Sequence, residues 1–262
     1  MLKLLKYEWK ACARTCLPLY GVLILMSLIS RILYVIPKNA SLDFMLPAIS
    51  SMLYMGVMMA AFVVTAVILI QRFYKNLLGS EGYLMFTLPV TVTQHLLSKT
   101  IIAVVMIALS GIAAFLSIGI FADMSFGTLF VDMIKGVARS GGLLFGLELL
   151  VLAVLGIAGM ALFLYMCIAL GHLASRHRLL MSIVWYVVLS TALQVLMLMV
   201  MMGVGNAVPE PFVDLMKVWW SGITPMGAVH LMLRFCCVAA LIGDAVCFLV
   251  TRWILVHKLN LE

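Results

Sequence analysis

The sequence is poor in charge. Only 10% of its 262 residues are Asp, Glu, Lys or Arg, 66% are hydrophobic, and the mean hydropathy is +1.23. A soluble domain could not stay dissolved at that balance, so the bilayer is the natural solvent. Too few polar residues remain for an extramembrane domain, and no loop is long enough to house a soluble activity. Catalytic signatures are missing as well. There is no G-x-x-x-x-G-K-[ST] phosphate cradle, no H-E-x-x-H, no G-x-S-x-G and no G-x-G-x-x-G. The chain therefore reads as a non-enzyme with no catalytic residue, and any ATP hydrolysis would fall to another chain. The six cysteines, Cys12, Cys16, Cys167, Cys236, Cys237 and Cys247, contain no C-x-x-C, which removes the common redox and zinc spacings and leaves no metal site. They read as reduced packing residues, with vicinal Cys236 and Cys237 the one redox candidate. No short apolar core with a small-residue cleavage site opens the chain, which argues against a cleavable signal peptide.

What the sequence has in abundance is apolar runs. A helix needs about 20 apolar residues at about 1.5 Å each to cross the hydrocarbon layer. Six stretches qualify: Leu17 to Ile36, Pro47 to Ile70, Thr100 to Ala122, Leu143 to Gly171, Leu179 to Val204 and Leu231 to Leu255. The expected fold is all-α, a single membrane domain over 1–262 with about six transmembrane helices. The net charge of +7 invites a nucleic-acid reading until its distribution is followed. Most cations fall on one side: Lys3, Lys6, Lys10 and Arg14, then Arg72, Lys75 and Lys99, then Arg176 and Arg178, then Arg252 and Lys258. The other side is close to neutral. By the positive-inside rule both termini are cytoplasmic, and the partner that the charge suits is the lipid bilayer rather than nucleic acid.

Three segments outside the spans carry pattern. In 1–16, Leu2, Leu5, Trp9, Cys12 and Cys16 recur at steps of three and four, while Lys3, Lys6, Lys10 and Arg14 form a second stripe. That is an amphipathic helix suited to the cytoplasmic interface. It serves as an anchor for the first span or as a lever on a cytoplasmic partner. In 71–99 the second span continues to Leu78, Gly79 suits a helix end, Ser80 caps a short segment from Glu81 to Phe86, and Pro89 breaks it. Thr91 with Gln94 reads as a capping box for the third span. Tyr83, Leu84, Met85 and Phe86 are then either a cytoplasmic docking surface or packed back on the bundle. In 205–230, Gly205, Pro209, Pro211, Gly222, Pro225 and Gly227 break an apolar loop into short interfacial or re-entrant helices.

Few side chains suggest chemistry within the spans. Asp244 is an acid near the middle of the sixth span, where an ionised group costs about 2.5 to 3.5 kcal/mol to insert, so it is a functional candidate of unknown role. Gly243-Asp244 is similar to the end of the Gly-x-Gly-Asp of intramembrane aspartyl proteases, but Leu241 replaces the first glycine, and no second intramembrane aspartate exists to share a proton. A protonated or paired structural acid is the plainer reading. His172 and His177, beside Arg176 and Arg178, read as a solvated turn. The 21 methionines suit a soft-metal path or, more simply, fill gaps between helices. Gly142 and Gly146 form a G-x-x-x-G that permits close helix approach.

Taken together, LLKYEWKACARTCLPLY, EGYLMFTLPVTVTQHLLSK and TRWILVHKLNLE resemble the membrane subunits of type-2 ABC exporters, six-span permeases of bacteria. The resemblance implies a permease in the bacterial cytoplasmic (plasma) membrane, an N-terminal interfacial helix, a dimer with a second permease copy or paralogue, and coupling to a separate nucleotide-binding ATPase subunit. ATP and Mg would bind in that partner, with no cofactor in this chain. The coupling role carries over to Glu81, Gly82, Tyr83, Leu84, Phe86, Thr87, Leu88 and Pro89. Two other classes remain open: an ion-coupled secondary transporter using Asp244, and a structural or sensory membrane protein. A secondary transporter would show inverted repeats with paired broken helices, and the sequence shows no such internal symmetry.

Overall fold

A computed structural model of the chain describes residues 2–35, 45–78, 91–122, 131–132, 135–136, 142–174, 178–207 and 224–257. No water reaches the backbone in hydrocarbon, so each peptide group must be satisfied within its own segment, and helices result. There are six long ones among the described residues: α1 Leu2–Val35, α2 Met45–Phe73, α3 Val92–Phe121, α4 Gly142–Gly171, α5 Arg178–Ala207 and α6 Pro225–His257. All six are long and apolar enough to cross a membrane. This is an all-helical, multi-pass membrane protein. The helices run to 29 residues or more, longer than the hydrocarbon layer requires, so their ends reach headgroup depth.

The helix ends differ from expectation in informative ways. Residues 2–16 are the first turns of α1 itself, and Pro18 lies within that helix. Lacking an N–H, Pro18 cannot bond the carbonyl of Arg14, so the point between interfacial segment and span is where α1 bends most easily. Thr91 is the N-cap of α3, yet its side chain makes no capping bond. Its hydroxyl lies 2.8 Å from that of Thr93, so the expected capping box with Gln94 does not form. Pro225 and Gly227 do not break the chain into pieces, because both lie in the first turn of α6. Proline at a first helical position forfeits only a donor that has no helical acceptor. Thr224 Oγ1 accepts from the Gly227 N–H at 3.2 Å and caps the helix. The intervening 208–223 lies outside the described residues, as does the expected short helix at 81–86.

The chain divides into two compact units, Met1–Gly136 and Val137–Glu262. In the first, α1 packs on both α2 and α3. The contacts run antiparallel to α2 and parallel to α3. The Ser30 hydroxyl donates to the Ser50 carbonyl at 3.1 Å, and the Tyr20 hydroxyl donates to the Met106 carbonyl at 3.2 Å and meets Thr65 Oγ1 at 3.1 Å. Tyr54 joins α2 to α3 through the Ser117 hydroxyl at 2.9 Å and stacks on Phe121 with ring centroids 5.1 Å apart. With lipid as apolar as leucine, such small polar rungs hold neighbouring helices in register.

In the second unit α4 is the common partner, parallel to α6 and antiparallel to α5. Close approach occurs at its far glycines rather than at the expected G-x-x-x-G. Gly142 has open space around it and a φ of +75°, whereas a side chain on Gly159 would strike the Asp244 carboxyl, and one on Gly171 would strike the Ser182 backbone. Ser182 is the sole buried residue described on α5, so this contact fixes how α5 stands on α4. Gly171→Leu should force the two helices apart and destabilise the protein by about 1 to 3 kcal/mol, the usual range for overpacking. Gly156→Ala, with open space around its Cβ position, should leave the unfolding temperature in detergent unchanged or slightly raised.

Candidate functional site

Of the α1 stripe that the sequence marks as apolar, Cys12 and Cys16 point into the first unit, whereas Trp9 does not. Cys12, Cys16, Tyr20 and Leu23 are buried, and Glu8 is buried with them. One turn before Cys12 on that same face, Glu8 is the only acid before Asp43. Its partners come from the two helices that α1 touches. Arg72, in the last turn of α2, places Nη2 2.8 Å from Glu8 Oε2. Lys99, on α3, places Nζ 2.9 Å from Glu8 Oε1. Lys99 Nζ also lies 3.4 Å from the Arg72 carbonyl, which closes the triangle.

The side chains of Glu8 and Lys99 are only 7% and 4% exposed. Removing ions from water costs several kcal/mol each, so such a cluster persists only where each charge is matched and hydrogen-bonded. The balance is two cations to one acid. Arg72 Nε is buried with no acceptor among the described residues. Immediately after Arg72 the α2 ladder widens into a π-helical turn, Tyr74–Leu78, anchored by fully buried Phe73 and Leu77. Single π turns of this kind are frequent at functional sites. Arg72, near the end of α2, and Lys99, two turns into α3, thus share one carboxylate. Lys99, expected as a loop cation, is instead a buried member of the third span.

Of the expected site residues, Lys6, Lys10 and Arg14 are exposed on the opposite face of α1, and Trp9 is partly exposed. Lys3 lies in the helix but its side chain is outside the description. Glu81, Gly82, Tyr83, Leu84, Phe86, Thr87, Leu88 and Pro89 are outside the described residues altogether. His172 faces Arg178 Nη1 at 3.4 Å, and His177 is not among the described residues. Asp244 is partly buried against the α4 backbone at Gly159.

The second unit holds a cluster of its own. Glu148, near the start of α4, receives Arg234 Nε at 2.8 Å on one oxygen and His230 Nδ1 at 2.5 Å on the other, both from α6. The Phe145 ring meets His230 edge-on. Arg234 remains 66% exposed, so this pair is wetter than that of Glu8. Among the described residues no three His, Cys, Asp or Glu side chains stand close enough to share a metal ion.

Glu8→Leu should destabilise the protein by about 3 kcal/mol or more, because it leaves Lys99 as an uncompensated buried charge. Lys99→Met combined with Glu8→Leu should recover much of that loss, a coupling that thermal unfolding of the two single variants and the double variant in detergent will read. A double variant whose loss equals the sum of the two single losses would show that the pair is not coupled. Asp244→Asn keeps the volume that fits against Gly159, and expression and unfolding temperature should stay at the wild-type level.

Comparison with protein families, with curated proteins and with solved structures gives no match to this chain, so the reading of its function rests on its own sequence and geometry.

Proposed function

We propose that this chain is the permease subunit of an ATP-driven ABC transporter, an exporter of the bacterial cytoplasmic membrane with both termini in the cytoplasm. It takes its power from a separate nucleotide-binding ATPase subunit, where ATP and Mg bind, and works beside a second permease copy or paralogue. The observation that best supports this reading is the Glu8 cluster. A loop that receives a push from a soluble ATPase is useful only if the push reaches the spans. Here the expected coupling segment lies in the sequence between Arg72 and Lys99, and both of these are tied to α1 through one carboxylate. Displacement of Glu81 to Pro89 would therefore move α2 and α3 and pull α1 with them, the type of rigid-element shift from which alternating access is built.

The absence of a phosphate cradle in the sequence is consistent with a borrowed ATPase. The wide apolar surface of α5, exposed from Leu193 through Val200, suits burial against lipid or a second permease. Leu84→Asp or Phe86→Asp would put a charge on the docking surface, and each should abolish co-purification of the ATPase subunit from mild detergent while membrane insertion and yield stay normal. Undiminished co-purification from both variants would remove the coupling assignment.

A further inference from the structure

The first four turns of α1 have two chemically opposed faces. Inward lie Glu8, Cys12 and Cys16, all buried. Outward lie Lys6, Lys10 and Arg14, all exposed, at steps of four that make a stripe about 12 Å long at 1.5 Å rise per residue. No acid of this segment answers them, since Glu8 is the only acidic residue before Asp43 and spends both oxygens on Arg72 and Lys99. Tyr7 and Trp9, 74% and 37% exposed, flank the stripe with the ring types that favour headgroup depth. The same helical face then runs on through Leu17, Leu25, Leu28 and Ile32, every one exposed.

We propose that this face of α1 binds anionic phospholipids, with headgroup phosphates along Lys6, Lys10 and Arg14 and acyl chains along Leu17 to Ile32. A convex helix face offers each phosphate one cation and no cradle, which suits the headgroup layer of a leaflet better than one enclosed free phosphate. The unbroken apolar track below the charges matches an amphiphile and not an acidic soluble protein. The inward pairing of Glu8 is what leaves the stripe without an acid from its own segment. This surface is independent of whether the chain couples to an ATPase.

The test uses the full chain in neutral detergent, titrated with dioleoyl phosphatidylglycerol, with dioleoyl phosphatidylcholine or with inorganic phosphate, and read by native mass spectrometry. Phosphatidylglycerol should bind more tightly than phosphatidylcholine, and salt should weaken it. The triple variant Lys6→Gln, Lys10→Gln, Arg14→Gln should lose phosphatidylglycerol affinity on the order of a hundredfold, from about fivefold per charge, with phosphatidylcholine unaffected. Its melting temperature without lipid should not change, because all three side chains are exposed. Should the triple variant fail to fold, Arg14→Gln alone should still show about the fivefold loss. Equal retention of both lipids, unchanged affinity in the variants, or displacement by inorganic phosphate beyond that caused by chloride at equal ionic strength would each overturn the proposal. So would an acidic protein that co-purifies with the wild type and is lost from the triple variant while lipid binding persists.

Discussion

Glu8 has two oxygens, and each holds a different helix. In a bundle whose surroundings are as apolar as its side chains, hydrophobic burial distinguishes poorly between one helix arrangement and another, and the few polar contacts select among them. The Glu8 cluster is the charged contact among those described in the first unit, and two of its members, Glu8 and Lys99, are nearly sealed from solvent. It sets the register of α1 against both neighbours at one end. The hydroxyls of Tyr20 and Ser30 repeat that register further along, and that of Tyr54 ties α2 to α3. The order runs from charge at one end to neutral hydroxyls deeper in the layer, as the rising cost of burying an ion demands.

Much of the architecture is legible in the sequence, since long apolar runs under the backbone constraint of the bilayer have one solution. All six expected spans fall on the six helices, with only the short ends of the first and third running past them. What the runs do not specify is which face of each helix meets protein. Most of α5 is apolar whichever way it faces, and contacts such as Gly171 with Ser182 and Phe163 with Tyr186 mark its protein-facing side. Glu8 carried a readable signal, because an acid four and eight residues before two stripe cysteines lies on their face. Its partners did not, as Arg72 and Lys99 are distant in sequence and look like ordinary positive-inside cations. The same applies to Glu148, His230 and Arg234, which meet only because α4 and α6 run parallel.

Asp244 illustrates how geometry narrows a sequence signal. As a lone acid in a span it suggests ion handling. In place, its carboxyl lies where a side chain on Gly159 would stand, so the acid packs against the α4 backbone. Any chemical duty of the acid is bound to that packing role.

The division into two units has a consequence for biogenesis. Each named ion pair is internal to one unit: Glu8 with Arg72 and Lys99 in the first, Glu148 with His230 and Arg234 in the second. A ribosome that has delivered residues through the end of α3 has delivered every charge needed to neutralise Glu8. The nascent chain can therefore release its first three helices from the translocon as an electrically settled group, while the charges of the last three have yet to be synthesised.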